Sequence, residues 1–220
     1  MIQCLTRINP ALRTAPMPRR RNSTDSLPFD TLTLEGGLFV PELLEKAARG
    51  EAAHQTVADY GIPKGLKLQE EHGRAYRIAV AQWQSFATQL VRDDVEASEA
   101  TRSFIIGFLR DALGFADIQL TDGPVRADDG IEREFPVSAL ALGGRIPVVI
   151  APHDLGLDEP DSRFAVIGGG TRKKSPFQLA QEFLNAAPNA LWAICTNGRS
   201  LRLLRDADTL TRPAYLEFDL

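Results

Sequence analysis

The sequence predicts an α/β fold in which a mixed sheet is joined to a helical N-terminal cap. Two long segments with helical periodicity come first, and the period of the apolar residues then changes to two. A capped helix followed by a β-hairpin completes the pattern between Lys173 and Asp206. Helices and strands that alternate along one chain are typical of an α/β architecture, so we expect helices packed on a sheet.

Length and composition set the limits of this fold. The chain has 220 residues, 44% of them apolar, which is enough for one core with an appendage. Its formal net charge of -4 is not that of a general nucleic-acid binder, so any DNA contact has to come from a local patch. The two cysteines, Cys4 and Cys195, lie far apart in the sequence, which argues against a disulfide framework or a thiolate metal site.

The same composition predicts a cytoplasmic protein. Sparse cysteine usage fits a reducing compartment. The chain contains no apolar run of about 18 residues that would span a membrane. Arginines near the N-terminus are not followed by the apolar segment of a secretory signal, so we expect no membrane partner.

Residues 1–30 are predicted to form a flexible basic arm. They carry four prolines and the run Arg19-Arg20-Arg21, without any periodicity that a packed element requires. The arginines are typical either of a phosphate-contacting tail or of a solvated one. Translation from an upstream start codon is a further explanation of this segment.

Residues 31–97 are predicted to form the helical cap. Gly36-Gly37 marks a turn, and a short helix begins at Pro41 and ends before Gly50. A longer helix is expected over residues 66–92. Its apolar face is predicted to contain Tyr76, Val80, Trp83, Phe86 or Ala87, and Leu90.

Residues 98–220 are predicted to form the α/β domain itself. A helix begins at Ser98, with Ser98 or Thr101 as the capping hydroxyl, and ends at Gly114. Strands are expected over residues 118–120, 133–142 and 146–151, with a weaker strand over 164–167. Between the second and third strands, Gly143-Gly144 predicts a hairpin turn.

The segment from Lys173 to Asp206 contains the strongest local signals. Ser175 is placed to cap a helix whose first residue is Pro176. Strands follow over residues 191–196 and 200–204. The dipeptide Asn197-Gly198 between them predicts a two-residue turn, for which it supplies positive φ.

The order helix, three strands, helix, two strands resembles the αβββαβ core of PD-(D/E)XK restriction nucleases. That resemblance implies an acid on the second strand and an acid-x-Lys pair on the third, which hold Mg²⁺ and orient the attacking water. No lysine of this chain has an acid two positions before it, and the matching third-strand positions are Ala151-Pro152-His153. We therefore predict a restriction-endonuclease-like fold with no catalytic residues, no metal ligands and no cofactor in this chain.

One enzymatic alternative stays open. A metal-dependent endonuclease with a migrated active site would draw its carboxylates from the strand and loop that flank the third strand. The candidates are Glu132, Glu134, Asp154 and Asp158.

Basic residues after a glycine triplet are the main candidates for DNA contact. Gly168-Gly169-Gly170 precedes Arg172, Lys173 and Lys174, and a helix begins just after them, which is typical of an anion-binding loop. Arg199, Arg202 and Arg205 add a basic rim on the hairpin. The predicted DNA-binding residues are thus Arg172, Lys173, Lys174, Arg199 and Arg202, whereas Gln181 and Glu182 are interpreted as solvent-facing.

Five segments resemble the N-terminal region of large bacterial adenine-specific DNA methylases of restriction-modification and DISARM-type phage-defence systems. They are LEGGLFVPELL, FPVSALALGGRIPVVIAPHDLGLD, KKSPFQLAQEFLN, LWAICTNGRSLRLLRD and LTRPAYLEFDL, and the resemblance covers roughly residues 31–220. It implies a following methyltransferase domain with its S-adenosylmethionine and Asn-Pro-Pro-Tyr-type motifs. These 220 residues contain neither motif, so we expect a truncated chain or a split gene product.

The resulting prediction is a non-catalytic DNA-engaging or scaffolding module of such a methylase. Its expected partners are the duplex DNA backbone and a methyltransferase domain or other defence-system subunits. The alternatives are the endonuclease with a migrated site and a module that docks only protein through an apolar face.

Overall fold

Strands β6 (Ile146–Ile150) and β7 (Trp192–Thr196) lie at the centre of the fold. This computed structural model describes residues 30–127, 132–170, 172–205 and 214–220. Val148 and Ile194 contribute to one hydrophobic cluster, and Val149 and Cys195 contribute to another. A strand that is covered on both faces has to be apolar at consecutive positions, which explains the continuous apolar run of β6.

The central sheet has seven strands in the order β1-β9-β8-β7-β6-β5-β2 among the described residues. The β6–β7 pair is parallel and every other neighbouring pair is antiparallel, so the predicted α/β class with a mixed sheet is confirmed. Its remaining strands are β1 (Leu32–Glu35), β2 (Gln119–Leu120), β5 (Ala139–Ala141), β8 (Ser200–Arg205) and β9 (Tyr215–Asp219). A separate two-stranded sheet pairs β3 (Val125–Arg126) with β4 (Glu134–Phe135).

Helices cover both faces of the sheet. The helices are α1 (Pro41–Arg49), α2 (Leu68–Leu90), α3 (Ala97–Gly107) and α4 (Pro176–Ala186). Helix α4 links β6 to the parallel strand β7 and packs on one face, together with Phe135 of β4. Helices α2 and α3 pack on the other face, where Phe86 and Phe104 stack with ring centroids 4.6 Å apart. The layers are therefore helix, sheet and helix.

The strand predicted over residues 133–142 is two strands instead of one. β4 ends at Phe135 and joins β3, while β5 starts at Ala139 and joins the central sheet. Pro136 lies at the break, where it has no N–H to donate to a continuing ladder. The weak strand predicted over residues 164–167 is also wrong in part, because Ser162–Phe164 forms a 3₁₀ turn and Ile167 makes an isolated bridge to Glu134.

The predicted helix from Ser98 to Gly114 is present with two corrections. The residue before its first turn is Glu96, and no side chain caps it, so Ser98 is not a cap. After α3 the backbone widens into a π-helix over Phe108–Ala112. Gly114 then adopts a φ of 80°, as expected for a terminating glycine.

The β7–β8 turn lies one residue later than predicted. Asn197 N donates to Ser200 O, which makes Gly198 and Arg199 the two central residues. Gly198 has a φ of 79°, whereas Asn197 is not among the residues with positive φ. The Asn197 side chain accepts hydrogen bonds from Arg199 N and Ser200 N instead, so it stabilises the turn from the position just before the two central residues.

No residue of the segment 30–85 is buried, although this segment forms β1, α1 and most of α2. β1 pairs with β9 at the edge of the sheet, and the first buried residue of α2 is Phe86. Tyr76, predicted to lie on the buried face of α2, is 70% exposed. Apart from Asp30, the arm predicted over residues 1–30 lies outside the described residues. Within the described ranges, no helix is both long and apolar enough to cross a membrane.

Replacement of Ser175 by alanine is expected to cost about 1 kcal/mol of unfolding free energy. Ser175 Oγ accepts from Gln178 N at 3.1 Å, and Gln178 Oε1 accepts from Ser175 N at 3.0 Å, so this change removes half of a capping box. Urea unfolding of Ser175→Ala measures the loss. Ser98→Ala is the control and is expected to stay within about 0.5 kcal/mol, because Ser98 caps nothing.

Candidate functional site

Strands β6 and β7 are parallel, so their carboxyl ends lie next to each other along one side of the sheet. In open α/β sheets, ligands bind in the crevice at this edge. Residues 151–161 leave β6 there, the β7–β8 turn follows β7 at the same edge, and α4 begins there because it connects the two parallel strands. We call this region the carboxyl edge.

A cleft of about 450 Å³ opens at the carboxyl edge. Its walls come from the start of α3, the segment after β2, the segment before β5, the end of β6 and the 3₁₀ turn. The residues that line it are Glu96, Ser98 and Arg102, residues 121–124, 136–138 and 150–152, and Arg163 and Phe164. The cleft is thus built from elements that are remote in sequence.

The nuclease resemblance places its carboxylates on the second and third strands, and the cleft residues at the start of β5 and the end of β6 include no carboxylate. Just before β5, Ser138 uses its hydroxyl to accept a hydrogen bond from Ile150 N at 2.9 Å. At the end of β6, Ala151 and Pro152 are buried. Throughout the described ranges, no three His, Cys, Asp or Glu side chains are grouped so that they could hold a metal ion. These residues do not fit the Mg²⁺ that the resemblance implies.

His153 is the last residue of the triplet Ala151-Pro152-His153, where the nuclease pattern has lysine. Its ring lies edge-on to Phe86, with centroids 5.4 Å apart, and its buried Nδ1 has no hydrogen-bond partner in the described part of the chain. Burial lowers the pKa of His153, and the positive charge of Arg199 lowers it further. The ring is therefore a neutral packing group and is not placed as a cation.

Arg202 is buried, in contrast to the exposed basic rim expected from the sequence. Its guanidinium donates to both carboxylate oxygens of Asp158, at 2.7 and 2.8 Å, and its Nε donates to Glu217. It also lies over the rings of Tyr215 and Phe177, 4.3 and 5.1 Å from their centroids. Burial alone disfavours the charge, but the hydrogen bonds to the two carboxylates outweigh burial and raise the pKa of Arg202. We therefore drop Arg202 from the candidate DNA surface.

Lys174 is also occupied by partners inside the protein. Its ammonium group forms an ion pair with Glu182, which contacts Arg133 as well. The interpretation of Glu182 as a solvent-facing polar residue is therefore wrong. Each of these three side chains is only about a quarter exposed or less, so we also remove Lys174 from the candidate DNA surface.

Three of the predicted DNA-contacting residues remain accessible at the carboxyl edge. Arg172 and Lys173 are exposed just before α4. Arg199 is exposed in the β7–β8 turn, where its Nε donates to His153 O at 3.0 Å and its terminal nitrogens make no hydrogen bond to the described residues.

Two cations of the cleft were missed by sequence reasoning. Arg102 is exposed near the start of α3, and Arg163 is exposed in the 3₁₀ turn. Arg163 donates to both carboxylate oxygens of Asp161, and these hydrogen bonds lower the pKa of Asp161 to about 2. Nothing local in the sequence marks Arg102, because only the packing of α3 against β6 brings it to the cleft.

The four carboxylates considered for an endonuclease with a migrated active site do not share one environment. Glu134 pairs with Arg126, and Asp158 is held by Arg202. Asp154 is exposed at the carboxyl edge, and Glu132 is exposed at the entry to β4. Among the described residues these four do not form a metal-binding group.

Comparisons with family models, with curated proteins and with solved structures found no match to this chain.

Between pH 7 and pH 5 we expect the protein to lose stability because of His153. Its folded pKa is lowered, so the unfolded chain takes up the proton first as the pH falls through the ordinary value of 6.5. The contribution is thus present above pH 6.5 and lost below it. Urea unfolding is measured with His54 and His72 both replaced by glutamine, which leaves His153 as the chain's single histidine. In that background, His153→Gln is expected to flatten the pH dependence, and an unchanged slope would contradict the assignment.

Proposed function

We propose that this chain is a non-catalytic, restriction-nuclease-like module that engages the DNA backbone at its carboxyl edge, as part of a DNA methylase of a restriction-modification or phage-defence system. The observation that carries the proposal is the composition of the cleft. Where the nuclease pattern requires carboxylates, Ser138 and Ala151 line the cleft, and where it requires lysine the chain has the half-buried His153, just beyond the cleft lining.

The order of elements supports the nuclease-like part of the proposal. After α3 come β2, β5 and β6 as an antiparallel meander, then α4, then β7 parallel to β6. This is the αβββαβ order, with the β3–β4 pair inserted after the first of the three strands. A cytoplasmic location fits a partner that is DNA.

The available cations support the DNA-engaging part. Arg102, Arg172, Lys173 and Arg199 make no ion pair within the described part of the chain. An equal number of carboxylates without ion pairs lies nearby, namely Glu96, Asp122, Asp154 and Glu159. The edge therefore has no broad positive field, and we expect weak, local phosphate contact with a small salt slope.

A titration of labelled duplex DNA by fluorescence anisotropy tests the proposal. At about 50 and about 200 mM salt, log K is expected to fall by about 0.9 per contacted phosphate for each unit of log salt. Arg199→Ala is expected to reduce this slope by about 0.9, and the Arg172→Ala/Lys173→Ala double variant by about 1.8.

Arg145→Ala is the matched control for Arg199→Ala. Arg145 is also an exposed arginine of a hairpin turn whose Nε donates to a backbone carbonyl, that of Leu142 at 3.1 Å, but it lies at the opposite edge of the sheet. We expect it to leave both affinity and slope unchanged. Equal effects of the two variants, or no binding by the wild type at low salt, would contradict phosphate contact at the carboxyl edge.

A protein-docking function is the second candidate, and the unburied segment 30–85 favours it. Within that segment, Val40, Tyr60 and Tyr76 are 61%, 51% and 70% exposed. A contiguous patch of exposed apolar side chains is typical of an interaction surface, and these three are candidates for such a patch. Co-purification with adjacent-gene proteins, in the absence of DNA, tests this function. A Tyr60→Ser/Tyr76→Ser variant is expected to lose the partner and to keep the DNA affinity.

The migrated-site endonuclease stays the enzymatic alternative. A plasmid-nicking assay with Mg²⁺ or Mn²⁺ tests it directly, and Asp154→Asn is the decisive variant because Asp154 has no ion-pair partner among the described residues. Cleavage by the wild type that is abolished in this variant would replace the non-catalytic proposal.

A further inference from the structure

We infer that Asp158 and Arg202 are positioning residues for the carboxyl edge. Their ion pair fixes the loop that lies between the two cationic segments of this edge, namely the β7–β8 turn and the residues before α4. This inference rests on the proposed function. The loop is formed by residues 153–161 and contains no strand or α-helix.

The β7–β8 hairpin holds this loop at three points. Arg199 Nε donates to His153 O at 3.0 Å, and Asn197 Nδ2 donates to Leu155 O at 2.9 Å. Arg202 forms the third and strongest link, a bidentate ion pair with Asp158. The residues that hold the loop are thus turn and strand residues of one rigid hairpin.

The same loop is attached on its other side to the segment that precedes α4. Asp161 N donates to Lys174 O at 2.9 Å, and Phe177 N donates to Leu157 O at 3.0 Å. The loop therefore lies between Arg199 on the hairpin and Arg172 and Lys173 before α4. Its conformation sets how far apart these exposed cations lie.

The burial of Arg202 indicates that its ion pair with Asp158 controls this conformation. The Arg202 side chain is 8% exposed and is fixed by Glu217 and by the rings of Tyr215 and Phe177, whereas the Asp158 side chain is 69% exposed. Arg202 is thus the immobile member of the pair, and Asp158 is the point at which the loop attaches to it. Without that attachment, the loop keeps only two single hydrogen bonds from hairpin side chains, which Arg199 and Asn197 donate to backbone carbonyls.

Asp158→Asn separates positioning from simple charge. If Asp158 were only a surface carboxylate, its neutralisation would remove repulsion and tighten DNA binding. Positioning requires the opposite sign: we expect binding to weaken about fivefold, with the salt slope kept, since no phosphate contact is deleted. Glu159→Gln removes one negative charge from the adjacent residue and is expected to bind at least as well as the wild type.

Hydrogen exchange of the DNA-free protein gives an independent readout. In Asp158→Asn, amides of residues 153–161 are expected to exchange about tenfold faster, with the strands of the sheet unchanged and Glu159→Gln like the wild type. If the wild type does not bind DNA, the proposed function fails whatever the exchange shows. If the wild type binds and Asp158→Asn binds equally or more tightly, or if its loop amides stay protected, the positioning role is overturned.

Discussion

Gly198→Ala is expected to destabilise the protein by about 3 kcal/mol, from two separate costs. The φ of 79° at Gly198 is strained for any residue with a Cβ, which accounts for about 1 kcal/mol. A Cβ there would also lie 3.2 Å from Phe86 Cε1 and 3.3 Å from Thr101 Cγ2. These atoms belong to α2 and α3 in a tightly packed core, so the remaining cost of about 2 kcal/mol comes from overpacking.

Gly144→Ala separates these two costs. Gly144 has a φ of 86° in the β5–β6 turn, and a Cβ at that position would have no atom within 4 Å. It carries only the backbone cost, so we expect a loss of about 1 kcal/mol. Urea unfolding of both variants provides the comparison. Equal losses would show that the β7–β8 turn is not packed against α2 and α3 as described.

Elements with strong local signals were predictable from the sequence. The Ser175 cap with proline after it defined α4, and the continuous apolar run defined β6. Gly50 and Gly114 end their helices with positive φ, as the sequence indicated. In each case one to four neighbouring residues carry the physical cause, so no tertiary information is required.

Elements that depend on distant partners were not predictable in the same way. β1 pairs with β9, and β9 pairs with β8 on its other side. β1 and β9 are separated by most of the chain, so neither pairing can be read from a local pattern. The β7–β8 turn lies one residue later than predicted because Gly198 packs against Phe86 and Thr101. No local sequence pattern encodes this contact. The π-helix after α3 is a further example, since nothing in the sequence of Phe108–Ala112 indicates it.

The candidate site shows the same division. The absence of an acid-x-Lys pair was readable directly, and the structure adds where the corresponding positions lie. Arg199 and Arg202 look alike in the sequence, as basic residues three apart on one hairpin. One is exposed and the other is buried, because only Arg202 has Asp158 and Glu217 beside it, from a loop and a strand that are remote in sequence. Whether a charged side chain is free to contact a ligand therefore depends on the tertiary structure.

Arg202→Met is expected to cost about 3 kcal/mol of unfolding free energy. Methionine keeps much of the apolar stem between Phe177 and Tyr215, but it leaves Glu217 and Asp158 without their cation. Removal of one partner from a buried pair costs about 3 to 5 kcal/mol. We expect the lower end of this range, since both carboxylates keep access to water.

Arg205→Met is the matched comparison on the same strand. Arg205 is exposed and lies over Trp192, 5.5 Å from the ring centroid, and it makes no ion pair with a described residue. A loss of about 0.5 kcal/mol is expected, as for an exposed cation–π contact. Urea unfolding of both variants decides between the two accounts of Arg202. A structural cation requires a loss several times larger for Arg202→Met than for Arg205→Met. A surface cation that contacts only DNA would give equal, small losses.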